Sequence, residues 1–294
     1  MARSLYKISC VFIKGILNMQ KKTLVLAVLA LTPAMAFANT AIQRANREIG
    51  ISVGGQSLSY HEYNPMAGVN PLDSESGKQP AIEVNLGLQG RVFGSKNWYM
   101  HLRLDYAQGE THYQGYTQNF VTSNNTPLST STHNDTYAGT FSFGKGFEFG
   151  SDCQIQLTPE LVYSYDEWHR SIGINTGVGY LEVYKHQAAG VGVLGQWAFG
   201  RLVVGAEVTG EKTFSATMSS PFAPLASLGG RYANSESLDL DYRVSRSQHL
   251  TLAFEHSHFL YGHSAIMNSG GTLVQEPNSV TNLNSVYGGW AWSF

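Results

Sequence analysis

A two-residue alternation of large apolar with small or polar side chains, a low share of charge and an export leader predict an all-β chain. The fold they predict is a closed transmembrane antiparallel β-barrel of ten strands, with eight or twelve as alternatives. The alternation is clearest in residues 285–294. Val286, Gly288, Trp290, Trp292 and Phe294 share one face there, and Ser285, Tyr287, Gly289, Ala291 and Ser293 the other. Period two is the period of a strand. A bulky aromatic face opposite a small one suits a wall with lipid outside and a lumen within, and the tryptophans suit the headgroup level. Charged residues make up 14% of the chain, against about 25% in a globular domain. That deficit follows if half of each strand meets hydrocarbon, where a charge near the midplane costs about 2–4 kcal/mol.

The leader begins at Met19-Gln20-Lys21-Lys22. Residues 23–32 are nearly all Leu, Val and Ala, and Ala36-Phe37-Ala38 supplies small residues two apart. These are the three parts of a secretory signal, too short to span a bilayer as a helix. The expected organisation is an upstream extension over 1–18, a signal peptide over 19–38 and a barrel over 39–294. Cleavage after Ala38 removes Arg3, Lys7, Lys14, Lys21 and Lys22 but no acid, so the exported chain is more acidic than the −2 of the whole sequence. Nucleic acid is a poor partner for such a surface. Cys10 is lost as well, and Cys153, in an expected periplasmic turn, has no intrachain partner.

With its aromatic alternation and terminal Phe294, the last strand resembles the assembly signal of Gram-negative outer-membrane barrel proteins. The resemblance is to that class, through the last ten residues and the leader, and not to a particular family. It implies an outer-membrane location among outer-membrane lipid and lipopolysaccharide. It also implies recognition of the C-terminal strand by the barrel assembly machinery, and a monomer.

The strands follow in order. Residues 39–47 read as a polar periplasmic lead-in. Strand one, 48–63, sets Ile49, Ile51 and Val53 on one face, then Leu58 and Tyr60 at the opposite parity, so a bulge is expected near Gly54-Gly55. Residues 64–79 read as a loop. Strand two, 81–93, alternates Ile82, Val84, Leu86 and Leu88 with Glu83, Asn85, Gln89 and Arg91. Strand three turns Trp98, Met100, Leu102, Leu104 and Tyr106 outward, with His101, Arg103 and Asp105 inward. Residues 108–135, rich in Thr, Ser and Asn with Tyr113, Tyr116 and Phe120, read as a long outer loop. Strand four carries Tyr137, Phe141 and Phe143. Strand five carries Ile155, Leu157, Leu161, Tyr163 and Tyr165, with a bulge expected at Pro159. An outer loop over 167–179 leads to strand six, about 180–197, where Gly190, Gly192 and Gly195 blur the pattern. Strand seven alternates from Leu202. Strand eight sets Leu238, Leu240, Tyr242 and Val244 against Asp239, Asp241 and Arg243, and strand nine sets Leu250, Leu252 and Phe254 against Glu255. The last long loop is 262–281.

Inward positions hold more acid than base. Glu83, Asp105, Glu148, Glu160, Asp166, Glu182, Glu207, Glu211, Asp239, Asp241 and Glu255 stand against Arg91, Arg103 and Arg243, with His101 on the same side. They form either the polar packing of a filled lumen or a narrow passage that attracts small cations. The leading functional reading is accordingly a narrow passive channel or structural membrane protein, cation-preferring if open. The alternatives are an adhesin or binding protein working through its extracellular loops, and a rim hydrolase acting on lipid or peptide.

The hydrolase reading rests on His61, His133, His169, His256, His258 and His263 near strand ends. Residue by residue it finds little. Ser257 lies beside His256 and His258, hence on the other face, whereas outer-membrane deacylases and the phospholipase set His and Ser two apart. No segment matches the paired Asp-Asp and Asp-x-His elements of omptin proteases. No catalytic residue, cofactor or metal site is assigned from the sequence; a third ligand beside His256 and His258 is lacking.

Overall fold

The computed structural model describes residues 41–63, 71–92, 94–118, 125–150, 154–173, 176, 179–221 and 223–294. The upstream extension and the leader, together with Cys153, Phe120 and Phe222, lie outside the described residues.

A short helix, α1 (Ala41–Ala45), precedes fourteen strands: β1 (Glu48–Tyr63), β2 (Asp73–Val92), β3 (Ser95–Gln118), β4 (Asn125–Lys145), β5 (Phe147–Phe149), β6 (Ile155–Ile172), β7 (Tyr180–Phe199), β8 (Leu202–Ser220), β9 (Ala223–Ser227), β10 (Tyr232–Arg243), β11 (Gln248–Tyr261), β12 (Met267–Ser269), β13 (Thr272–Val274) and β14 (Asn278–Ser293). Ten of them, β1–β4, β6–β8, β10, β11 and β14, pair in an antiparallel ring. The ring closes where β14 joins both β11 and β1, Trp292 lying opposite Gln248 on one side and Ile49 on the other. The expected ten-stranded transmembrane barrel is the observed one.

The strands run far beyond a bilayer. About 9–11 tilted residues cross one, yet β3 has 24 residues and β4 has 21. Residues 73–79, 108–118, 125–135 and 167–172, expected as loop, are therefore mostly strand. Their composition misled because the lipid-facing signature stops where the lipid stops. A wall standing in water has no reason to turn Leu or Phe outward.

The bulge expected at Gly54-Gly55 does not form. Pairing of β1 with β14 runs without a break from Glu48 to Tyr63, and pairing with β2 does the same from Ile49 to Glu62. Apart from Gly54 the even-numbered residues are buried, and Leu58 (1% exposed) and Tyr60 (0%) are interior. Gly54 answers a different need. A Cβ there would meet the Val286 carbonyl of β14, so the glycine permits close approach at the closing seam. Pro159 makes no bulge either. Gly144 faces Glu160 and Phe147 faces Leu157 in one register, and the strand is interrupted only at Gly146. Register shifts occur instead at Gly90/Val92, Gln187/Ala188 and Met218/Ser220.

The lead-in is not a free tail. Ile42 and Asn46 are buried (0% and 5% exposed) at the periplasmic end of the ring. The Phe294 amide donates to the Arg47 carbonyl at 3.1 Å, and the Arg47 guanidinium lies 5.9 Å from the Phe294 ring centre.

Candidate functional site: three polar levels in the lumen

At the periplasmic level lies a network of neutral amides. Asn46 donates to Gln89 at 2.6 Å and to Gln196 at 2.8 Å; Gln196 returns a bond to Asn46 at 2.7 Å, and Gln89 donates to Gln156 at 2.7 Å. Each is at least nine-tenths buried. Amides carry donor and acceptor together, so such a ring is satisfied without charge.

The middle level holds most of the inward ions expected from the sequence. Arg103 reaches Glu255 at 2.8 Å and Asp105 at 3.5 Å. A lower cavity of about 120 Å³ is lined by Glu83, His101, Arg103, Glu207, Asp239 and Asp241, among others. An upper one of about 80 Å³ is lined by Arg103, Asp105, Asp166, Glu207, Glu211 and Glu255. Arg103 and Glu207 border both. Glu160 is buried, and neither of its side-chain oxygens has a hydrogen-bond partner. Four expected members lie elsewhere: Glu182 joins the extracellular cluster around Arg170, and Glu148 accepts from Gln43 of α1 at 3.0 Å. Arg91 is exposed within the register shift between Gly90 and Val92 and lines neither cavity. Arg243 joins Arg44, Arg201 and Arg246 around an open periplasmic cleft. His186, which the glycine-blurred strand hid, is 3% exposed. It lies 3.0 Å from Asp166 and 2.7 Å from the Tyr261 hydroxyl.

The extracellular level was not legible in advance. Arg170, from the segment expected as loop, is fully buried. Its guanidinium meets Glu75 at 2.7 Å, Glu182 at 2.9 Å, Asp73 at 3.3 Å and Glu62 at 3.5 Å. The Tyr60 ring lies 4.4 Å from its centre, with Tyr113 and Trp168 behind at 5.5 and 5.6 Å. Thr111 and Asn134 donate to Glu75, and the Trp168 indole donates to Asn134 at 2.7 Å. Glu276, from the last loop, accepts the Tyr184 hydroxyl at 2.5 Å. One guanidinium cannot balance so many buried carboxylates, and some of them keep a proton. Burial, then the charges of Asp73 and Glu276, raises the Glu62 carboxyl well above its usual range. Burial lifts Asp73 to about 6 against the opposing pull of Arg170, and it lifts Glu276 to about 8, with Glu182 adding to the effect.

Around these ions sits an apolar core inside the extracellular wall: Leu58, Tyr60, Trp168, Tyr184, Met218, Leu228 and Tyr261, with Phe259, Met267 and Leu283 packed against it.

The rim histidines are spread over the outer surface. His256 and His258 bond Asn284 and Asn282 of the neighbouring strand at 2.9 and 2.8 Å. His169 lies 2.7 Å from Glu167, which also meets Lys185 at 3.1 Å; His133 lies 3.7 Å from Asp135. None of these residues borders a lumen cavity except His258, at the upper one.

The sequence matches no protein-family model and no curated protein. Its fold is similar to that of the outer membrane protease OmpT from Escherichia coli, with 10% identity over 85% of this chain and 97% of that one and a TM-score of 0.51. Lesser similarities are to the outer membrane protein OprG from Pseudomonas aeruginosa (9% identity, 84% and 96% covered, TM-score 0.37) and to the translocator domain of the autotransporter NalP from Neisseria meningitidis (10%, 91% and 94%, 0.37). At such identities the likeness is one of fold. The chain has the fold of the outer-membrane β-barrels, a closed transmembrane ring of ten antiparallel strands.

Proposed function

We propose that the protein is a binding protein working through its extracellular wall and loops, and that its lumen is a closed scaffold. The observation that carries this reading is the Arg170 cluster, which fills the barrel above the membrane with paired ions and rings. Amides fill the other end, and cavities of about 120 and 80 Å³ lie between the two. A conducting barrel needs continuous water along its axis.

The surface above the lipid supplies the second support. Leu225 on β9, Ile266 beside β12 and Leu273 on β13 are 69%, 63% and 70% exposed, and Tyr232 is 71% exposed. Their strand neighbours Ala226 and Met267 face the interior core. Apolar side chains held outward in water on a rigid wall are what a protein-binding surface presents.

Two measurements test the reading. Folded protein in planar bilayers is expected to carry no steady current under a KCl gradient; a stable cation-selective conductance would return the channel reading. Cells displaying the barrel are expected to adhere to protein-coated surfaces and to lose adherence with Leu225→Asp, Ile266→Asp and Leu273→Asp combined. Undiminished adherence by that variant at equal surface levels would remove the wall as the binding site.

A further inference from the structure

At the periplasmic mouth three side chains from separate strands converge. Glu48 opens β1, Asp241 lies near the end of β10 and His249 near the start of β11. Each offers one ligand atom, and these atoms lie within 4.8 Å of one another. His249 Nδ1 is 2.6 Å from Asp241 Oδ1 and 3.6 Å from Glu48 Oε2. The imidazole is 1% exposed and Glu48 8%. Among the described residues neither carboxylate has an Arg or Lys within ion-pair distance. Glu48 Oε2 is buried, aimed at the imidazole and without a hydrogen-bond partner.

We propose that Glu48, Asp241 and His249 form a binding site for a divalent transition-metal ion of the Zn²⁺ type. Two close buried carboxylates beside an imidazole, with no Arg or Lys paired to them, make a donor set that a dication can bind in place of protons. An oxygen, oxygen, nitrogen donor set with an imidazole in it favours Zn²⁺ and its neighbours over Ca²⁺ or Mg²⁺, which take six or more oxygens. Ligand atoms about 2.0–2.2 Å from a tetrahedral metal stand roughly 3.3–3.6 Å apart, so the Glu48 to His249 separation already fits. Asp241 must withdraw by under about 1 Å, which a carboxylate rotation supplies as the metal takes over the imidazole nitrogen from the hydrogen bond. Glu48 and Asp241 also border the lower cavity, where water can complete the coordination. The site would clamp β1 to the β10–β11 hairpin across the intervening β14.

The test is Zn²⁺ titration by calorimetry on the folded barrel in detergent, with His256→Asn and His258→Asn in every sample to silence the exposed pair. Binding of one equivalent is expected, with affinity falling at least tenfold in Glu48→Gln and in Asp241→Asn, and lost in His249→Gln. Co²⁺ should give visible absorption bands that vanish in His249→Gln. Each variant is first shown to be folded by heat-modifiable gel mobility; where one fails to fold, Glu48→Gln, which preserves side-chain size, and the Co²⁺ spectrum decide. Absence of saturable binding to the folded barrel, or equal affinity in Glu48→Gln and the parent, would show an ordinary histidine–carboxylate pair and overturn the proposal.

Discussion

The barrel has two halves that use one backbone in opposite ways. Within the membrane, Ile49, Ile51 and Val53 of β1 are 44–66% exposed on the outer face while Ser52 is buried. A few residues further along the same strand, Leu58 and Tyr60 are buried inside while Ser57, Ser59 and His61 face out. The register does not change between them. What changes is the surroundings, from acyl chains to water. Apolar side chains face whichever side excludes water: outward in lipid, inward above it. An inverted hydrophobic parity is therefore a boundary marker for the membrane surface and not a kink in the chain.

The strongest way to break this comparison is to remove the ion at the centre of the water-facing half. Arg170→Met leaves Glu62, Asp73, Glu75 and Glu182 without their common partner. A loss of about 3–5 kcal/mol is expected, as for other severed buried pairs. Limited proteolysis should then cut the extracellular wall while the membrane section survives. If the wall stays resistant, the cluster is not what holds it. Next comes a charge at a lipid-facing position. Leu240→Arg or Leu102→Arg should cost about 2–4 kcal/mol near the midplane and slow insertion into vesicles, whereas Leu58→Arg should spare insertion and loosen only the extracellular core. Equal insertion defects in the two kinds of variant would contradict the division into halves.

Trp168→Phe sharpens the picture on a smaller scale. It deprives buried Asn134 of its indole donor at an expected cost of about 1–3 kcal/mol, read from the urea midpoint. The pH response should be gentler still. Asp73 and Glu276 hold protons more firmly in the fold than in the unfolded chain, at about 6 and about 8. Their stabilisation is complete below the ordinary carboxyl range and is lost as pH rises through those values. The urea midpoint should thus fall between pH 5 and 8.5, and Glu276→Gln should flatten the upper part of that fall. A parent midpoint that rises over the same interval would refute the assignment. Least of all should change with His256→Asn on the outer wall, within about ±0.5 kcal/mol.

Within the membrane the fold was readable because lipid imposes an alternation that the residues record directly, as in Trp98 to Tyr106 or Leu238 to Val244. The inner ions were readable for the same reason; Arg103 and its acids sit at the complementary parity. Above the membrane the signal weakens. Tyr113, Asp73, Glu75 and Arg170 lie among Ser, Thr and Asn that belong equally to loops and to solvated strands. Only the pairing of distant strands brings them together, Arg170 and Glu75 being 95 positions apart. His249, Asp241 and Glu48 meet for a similar reason, across the closing seam.

That seam has a consequence for biogenesis. The bond from Phe294 to Arg47 ties the residue after β14 to the residue just ahead of β1, so this contact forms only once β14 has been delivered. Neighbouring hairpins can pair as they arrive, but the β1–β14 seam is available only after β14 does. Phe294, just past β14, is then the latch that holds the seam shut. Shortening the chain by that one residue should strand the polypeptide in the periplasm as substrate for proteases.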